Sequence, residues 1–213
     1  MYPKGNLFIP ATIGKLEAIL KEPVGEPKGV AVVCHPHPLG GGTMHNKVVF
    51  RAAAGLNDAG LTTVRFNFRG VGASEGKHDG HAEMQDVKDV IDYMAERYPG
   101  LDMTLAGFSF GSRMGTEVAM KDPRVARLIS IGTPVDKYED YGYLTSLEKP
   151  ILFVHGDRDE FGSKANIEAL FESVKRVTDA ELVMFENCGH FFDEHLNELR
   201  DSIKEWTERK MNR

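Results

Sequence analysis

Short, uninterrupted apolar runs alternate along this chain with stretches of helical amphipathic spacing, and glycine or proline separates them. VAVVCHP at 30–36, LTTVRFNF at 61–68, MTLAGF at 103–108, VARLISIG at 125–132 and ILFV at 151–154 read as strands. Most are apolar throughout, the pattern of strands covered on both faces. LFIP and KLEAILKEP, around Leu16 to Lys21, instead alternate apolar and polar positions, as half-exposed edge strands do. ELVMFEN at 181–187 reads as the last strand. Helices are expected over 46–59, ending at Gly60, and over 82–98, where Val87, Val90, Ile91 and Met94 share a face before Pro99-Gly100 stops the run. SRMGTEVAM, 164–177 and a closing stretch at 191–210 are the others, and 134–148 reads as a turn or short helix.

Strand and helix alternate with short connections throughout. That order predicts an α/β fold with a mostly parallel central sheet and helices on both faces, in one domain spanning 1–213. The short stretch between the strand ending near Ile131 and the one starting at Ile151 leaves no room for a large lid, so an open site is expected. In LTTVRFNFR, Val64, Phe66 and Phe68 share one face while Arg65, Asn67 and Arg69 point the other way. Either these polar residues brace neighbouring loops or that face is partly exposed; both readings stand at this level.

Composition narrows the function classes. The chain has 213 residues, 41% hydrophobic and 27% charged, with a net charge of -6 and dispersed Lys and Arg. No basic block favours nucleic acid. Two cysteines, Cys34 and Cys188, make no disulfide framework. MYPKGNLFIP lacks the regions of a signal peptide, and no apolar run is long enough to span a bilayer. The expectation is a cytoplasmic enzyme acting on a small molecule, without nucleic-acid or membrane partners, as a monomer or weak homo-oligomer.

The chemistry centres on Gly107-Phe108-Ser109-Phe110-Gly111, which fits the G-x-S-x-G pattern of a nucleophile elbow between a buried strand and a helix. The glycines permit close backbone approach, and the following helix offers unpaired N–H groups to negative charge. Acyl transfer by serine also needs a base and a carboxylate to orient it. Asp159 and His190 leave the C-terminal ends of successive predicted strands, in the order Ser…Asp…His, and so open onto the same sheet edge as Ser109. Asp157 competes for the acid role. Asp159 is preferred because it lies farther from the strand end, with Asp157 or Asp193 as fallback.

A tetrahedral intermediate requires two N–H donors. The first is expected from the backbone of Phe110. In the loop after VAVVCHP, Pro36 and Pro38 have no N–H, which leaves His37 or Leu39; His37 is favoured. His35, His37, His45, His78 and His81 invite a zinc reading, but no H-E-x-x-H or cysteine pair anchors one, so neither metal nor cofactor is expected. FRGVGASEG lacks the ending of a phosphate-binding loop and reads as a tight loop at the site's edge. Phe191-Phe192 and Tyr138, Tyr141 and Tyr143 are candidates to line an acyl pocket.

With these motifs assembled, the sequence resembles the α/β-hydrolase superfamily, and within it the small lidless bacterial hydrolases. The resemblance rests on His35 to Pro38, Gly41-Gly42, Met44, Asn46-Lys47, Phe66 to Gly76, Gly107 to Gly111, His155 to Asp159 and Gly189 to Phe192, within a span from about Val30 to His195. It implies the α/β-hydrolase fold, Ser109, Asp159 and His190 as triad, and His37 and Phe110 as oxyanion donors. It also implies esterase-like activity on small or short-chain acyl esters. The same triad serves thioester, lactone and peptide hydrolysis elsewhere in the superfamily, and a few members have become non-catalytic.

Overall fold

In the computed structural model, residues 5–138 and 140–212 are described. The strands are β1 (Leu7–Ala11), β2 (Gly14–Lys21), β3 (Gly29–Cys34), β4 (Leu61–Phe66), β5 (Met103–Phe108), β6 (Val125–Ile131), β7 (Ile151–Gly156) and β8 (Ala180–Phe185). The helices are α1 (Lys47–Asp58), α2 (Glu83–Arg97), α3 (Phe110–Ala119), α4 (Lys164–Lys175) and α5 (Leu196–Met211), with 3-10 turns at Pro38–Gly40 and Gly142–Ser146. The strands form one sheet in the order β1-β2-β4-β3-β5-β6-β7-β8. β1, β2 and β4 pair antiparallel, and every other neighbouring pair is parallel.

Burial follows the apolar runs. Every residue of β3, β5 and β7 is buried, as their near-continuous apolar sequences require, while β8 at the sheet edge is half-buried along its length. One core layer packs residues of α2, α3 and α4 against the sheet. The other packs α1 and α5, where Trp206 and Phe192 are enclosed. The alternating β2 is not an edge strand: β1 covers its outer side.

Sheet order places the chemistry. From β3 the chain moves outward to β4, then returns to lay β5 on the other side of β3. The connections from β3 and β5 therefore diverge, opening a crevice at their C-terminal ends, where doubly wound sheets bind ligands. The loop holding His37 leaves β3 there, and Ser109 leaves β5. Among its described residues, the connection from β6 to β7 holds one 3-10 turn. No helix among the described residues is long and apolar enough to cross a membrane.

Two element boundaries differ from the sequence reading for identifiable reasons. The closing helix starts at Leu196, not at residue 191, because Phe192 is buried at φ 54° and the chain turns twice there, with Phe192 N–H on Gly189 O and His195 N–H on Phe192 O. A left-handed residue cannot continue a helix. β4 ends at Phe66, and the polar residues beyond it bind loops rather than facing solvent. Asn67 Oδ1 accepts from Met44 N–H, its Nδ2 donates to Glu17, and the Arg65 guanidinium donates to Met44 O. Arg69 forms a buried ion pair with Asp86 at 2.6 Å. FRGVGASEG is thus a braced structural loop: Glu17 also takes the Ala73 N–H, and Ser74 Oγ donates to Asn67 O.

Candidate active site

Ser109 sits at φ 54° and ψ -120°, a conformation that costs a non-glycine residue on the order of 1–3 kcal/mol. The surroundings hold it there. Its N–H donates to Ile131 O at 2.9 Å, and its carbonyl accepts from Ser112 N–H and Ser112 Oγ. Both motif glycines are required by contact. A Cβ on Gly107 would lie 2.3 Å from Gly111 O, and one on Gly111 would lie 2.5 Å from His35 O. The elbow is therefore clamped between β3 and its own helix. As the first residue of α3, Phe110 has an N–H without an intrahelical acceptor.

His35 anchors the β3 side of the crevice. Its Nδ1–H donates to Pro36 O at 2.6 Å, and Nε2 accepts from Phe68 N–H at 3.0 Å. Burial depresses its pKa to about 3, so it stays neutral. The next turn curls onto the His37 carbonyl, which accepts from Gly40 N–H and Gly42 N–H. Gly42 is dictated by this closeness, since a Cβ would lie 2.0 Å from Pro36 O. The His37 N–H meets no protein acceptor among the described residues.

Opposite, His190 Nδ1 lies 2.7 Å from Asp159 Oδ2, with both side chains buried. A carboxylate there fixes the proton on Nδ1 and leaves Nε2 as the acceptor. Asp159 Oδ1 takes the Phe161 N–H at 2.8 Å. The fallback acids are engaged elsewhere: Asp157 Oδ1 accepts from Cys188 N–H, and Asp193 pairs with Lys47.

Three features of this pocket were not read from the sequence. His155, fully buried, donates through Nε2 to Gly162 O at 2.6 Å and stands 3.7 Å from Asp159 Oδ2. The His190 ring is boxed by Phe108, Phe161 and Phe191 at centroid distances of 4.8, 4.7 and 5.3 Å. Gly132, at φ 52°, lets that ring approach, because a Cβ would lie 3.2 Å from His190 Cε1. HG-x-x-D carried a hint of His155; Phe161 and Gly132 had no local signal.

Ser109, His37, His190, Phe161, Phe191 and Lys137 line one cavity of about 120 Å³. Of the aromatic candidates, Phe191 stands at its rim, while Phe192 is in the core. The tyrosines do not line it. Tyr141 and Tyr143 stack on each other around Arg113, and the Tyr143 hydroxyl bonds Thr116, so they pack the α3 face of the core. The histidines are similarly occupied: His78 Nδ1 binds Glu83 at 2.6 Å, and His37 Nδ1 accepts from Leu39 N–H. Among the described residues no group of three His, Cys, Asp or Glu side chains is arranged to hold a metal ion. Cys34 and Cys188 are free and buried.

The buried imidazoles predict an acid-sensitive fold. Burial lowers the pKa of both His35 and His155 below the ordinary histidine value. Below about pH 6.5 the unfolded chain therefore binds protons that the folded chain refuses, and stability falls as pH falls. Thermal melts should show Tm several degrees lower at pH 5 than at pH 7.5. A flat or rising Tm would contradict it.

The sheet order, with a serine turn at its switch point, is that of an α/β hydrolase. The model of the alpha/beta hydrolase domain matches residues 30–210. An alpha-beta serine hydrolase homologue from Coxiella burnetii is 39% identical, covers 96% of this chain and 99% of its own, and superposes with a TM-score of 0.87. An α/β serine hydrolase without lid from Xanthomonas campestris is 32% identical, at 99% and 97% coverage and a TM-score of 0.87. An uncharacterized protein of Rickettsia prowazekii (strain Madrid E) is 31% identical over 201 residues, 91% of this chain and 84% of that one. The chain belongs to the alpha/beta hydrolase domain family.

Proposed function

We propose that this hydrolase is a serine carboxylesterase for small or short-chain acyl esters, working through an acyl-enzyme. The observation that carries the reading is the buried 2.7 Å contact between Asp159 and His190, opening with Ser109 on one cavity. Asp159 holds the imidazole in the tautomer whose Nε2 can take a proton. Ser109 Oγ attacks the ester carbonyl as His190 accepts its proton, and the N–H groups of Phe110 and His37 receive the developing oxyanion. Collapse expels the alcohol, protonated by His190. Water, deprotonated by the same imidazole, then releases the acid and restores Ser109.

Chain-length preference follows from volume. Pockets that enclose drug-sized ligands run to about 300–1,000 Å³; the cavity here is about 120 Å³. Among its described residues, the β6–β7 connection adds one 3-10 turn where a cap would cover a longer chain. The Xanthomonas campestris relative is likewise described as lacking a lid. Turnover of 4-nitrophenyl acetate and butyrate should exceed that of the octanoate and palmitate by about tenfold in kcat/KM, since methylenes left outside gain none of the about 0.8 kcal/mol each would gain by burial, and forcing them in overpacks the cavity at a cost of about 1–3 kcal/mol. Faster hydrolysis of the long chains would overturn the preference. Thioester, lactone and peptide substrates in the same panel identify the bond, because the triad chemistry is common to all of them.

A further inference from the structure

Among the described residues that line the Ser109 cavity, one carries a permanent charge: Lys137, on the loop leaving β6. That loop is pinned. Asp136 N–H donates to Phe161 O at 3.0 Å, and the Asp136 carboxylate takes Ser163 N–H at 2.7 Å and Asn166 Nδ2 at 2.6 Å, at the start of α4. The Lys137 N–H closes a turn onto Pro134 O. Its ammonium lies over the Phe161 ring, 5.3 Å from the centroid, and that ring packs 4.7 Å from His190. Lys137 is thus held one aromatic ring away from the imidazole.

Nearby acids among the described residues have other partners. Asp136 serves the start of α4, Glu160 faces the His190 N–H at 3.4 Å, and Asp193 pairs with Lys47, the other cation near Phe191. Among the described residues no carboxylate forms an ion pair with Lys137. The charge also reaches across the cavity: burial, then His78, then Lys137 hold His37 below the ordinary histidine range. In a chain of net charge -6, this cavity thus counts among its lining, together with Ser109 and His190, an ammonium with no ion-pair partner among the described residues.

We propose that Lys137 is a specificity-determining residue and that the site takes short esters bearing a second, anionic group, a carboxylate bound by the Lys137 ammonium. The inference rests on the ester-hydrolase reading of Ser109. A neutral ester leaves the ammonium to water, whereas a carboxylate gains a charge-assisted hydrogen bond. The group is solvent-exposed, so the gain is modest, appears mainly in KM, and shrinks with salt.

Matched substrates test it. The acyl-side arm compares mono-4-nitrophenyl glutarate with 4-nitrophenyl pentanoate; the alcohol-side arm compares 4-butyryloxybenzoate with its methyl ester. The readout is the anionic-to-neutral ratio of kcat/KM, which cancels general damage to the enzyme. In at least one arm Lys137→Met should lower that ratio by about three- to fivefold, the upper end of the range for an exposed ion pair. Lys137→Arg should retain most of it, and added salt should lower the wild-type ratio. Ratios that stay within twofold of wild type in both arms overturn the role of Lys137 while leaving the esterase reading intact. If the wild-type protein hydrolyses none of the four esters, the esterase reading fails and this inference falls with it.

Discussion

Ser109→Ala is expected to lower kcat/KM for 4-nitrophenyl butyrate by about 10³–10⁶-fold, the range seen when a triad nucleophile is removed. The substitution is a clean one. Alanine meets the same positive φ as serine, and the backbone bonds that hold the elbow, Ser109 N–H to Ile131 O and Ser112 N–H to Ser109 O, do not involve the hydroxyl. Among the described residues the Oγ makes no hydrogen bond to protein, so its loss leaves no buried partner unsatisfied. Tm should stay within about 2 °C of wild type, as for substitutions that break no packing or polar network. Activity reduced less than about tenfold, in protein free of contaminating esterase, would contradict the assignment of Ser109.

The second large effect separates two aspartates that lie two positions apart. Asp159→Asn should reduce kcat by about 10³–10⁴-fold, because an amide that donates to His190 Nδ1 leaves the proton on Nε2, where the base is needed. Asp157→Asn should change kcat less than about threefold: the Asp157 carboxylate accepts from Cys188 N–H, a role an asparagine oxygen can keep. Kinetics of the two variants side by side, at matched pH, decide the matter. A larger loss at 157 than at 159 would reverse the assignment.

The contrast shows what local sequence encodes and what it does not. The elbow is legible because its pattern is short, although only half of its constraint is local: Gly107 is required by Gly111 O four positions on, whereas Gly111 is required by the His35 and Cys34 carbonyls at the end of β3. The order of Ser109, Asp159 and His190 is legible because parallel strands bring their C-terminal ends to one edge. The choice of Asp159 rested on reach, and the structure gives the contact, with Asp157 turned to the loop of Cys188.

What was illegible depends on packing between distant segments. Gly132 follows a strand like many other glycines, yet its positive φ and the Phe108 and His190 rings, the latter from 58 positions later, crowd the place a Cβ would take. Phe161 looks like an ordinary loop aromatic until it covers the imidazole. The tyrosine cluster at 138–143 sits where a lid would stand, but Arg113 on α3 draws Tyr141 and Tyr143 into the core instead. The polar alternation of Arg65, Asn67 and Arg69 left two readings open; the partners that resolve it, Met44, Glu17 and Asp86, come from other elements. The closing helix begins late because Phe192 must turn at positive φ just after His190, a demand that helical periodicity does not reveal.

The most direct measurement is covalent trapping with a fluorophosphonate, followed by intact-mass and peptide mass spectrometry of wild type, Ser109→Ala and His190→Ala. The account predicts one phosphonyl adduct on Ser109 in the wild-type protein, none in Ser109→Ala, and strongly slowed labelling in His190→Ala. An adduct mapped to any other residue, or labelling that persists in Ser109→Ala, would contradict it.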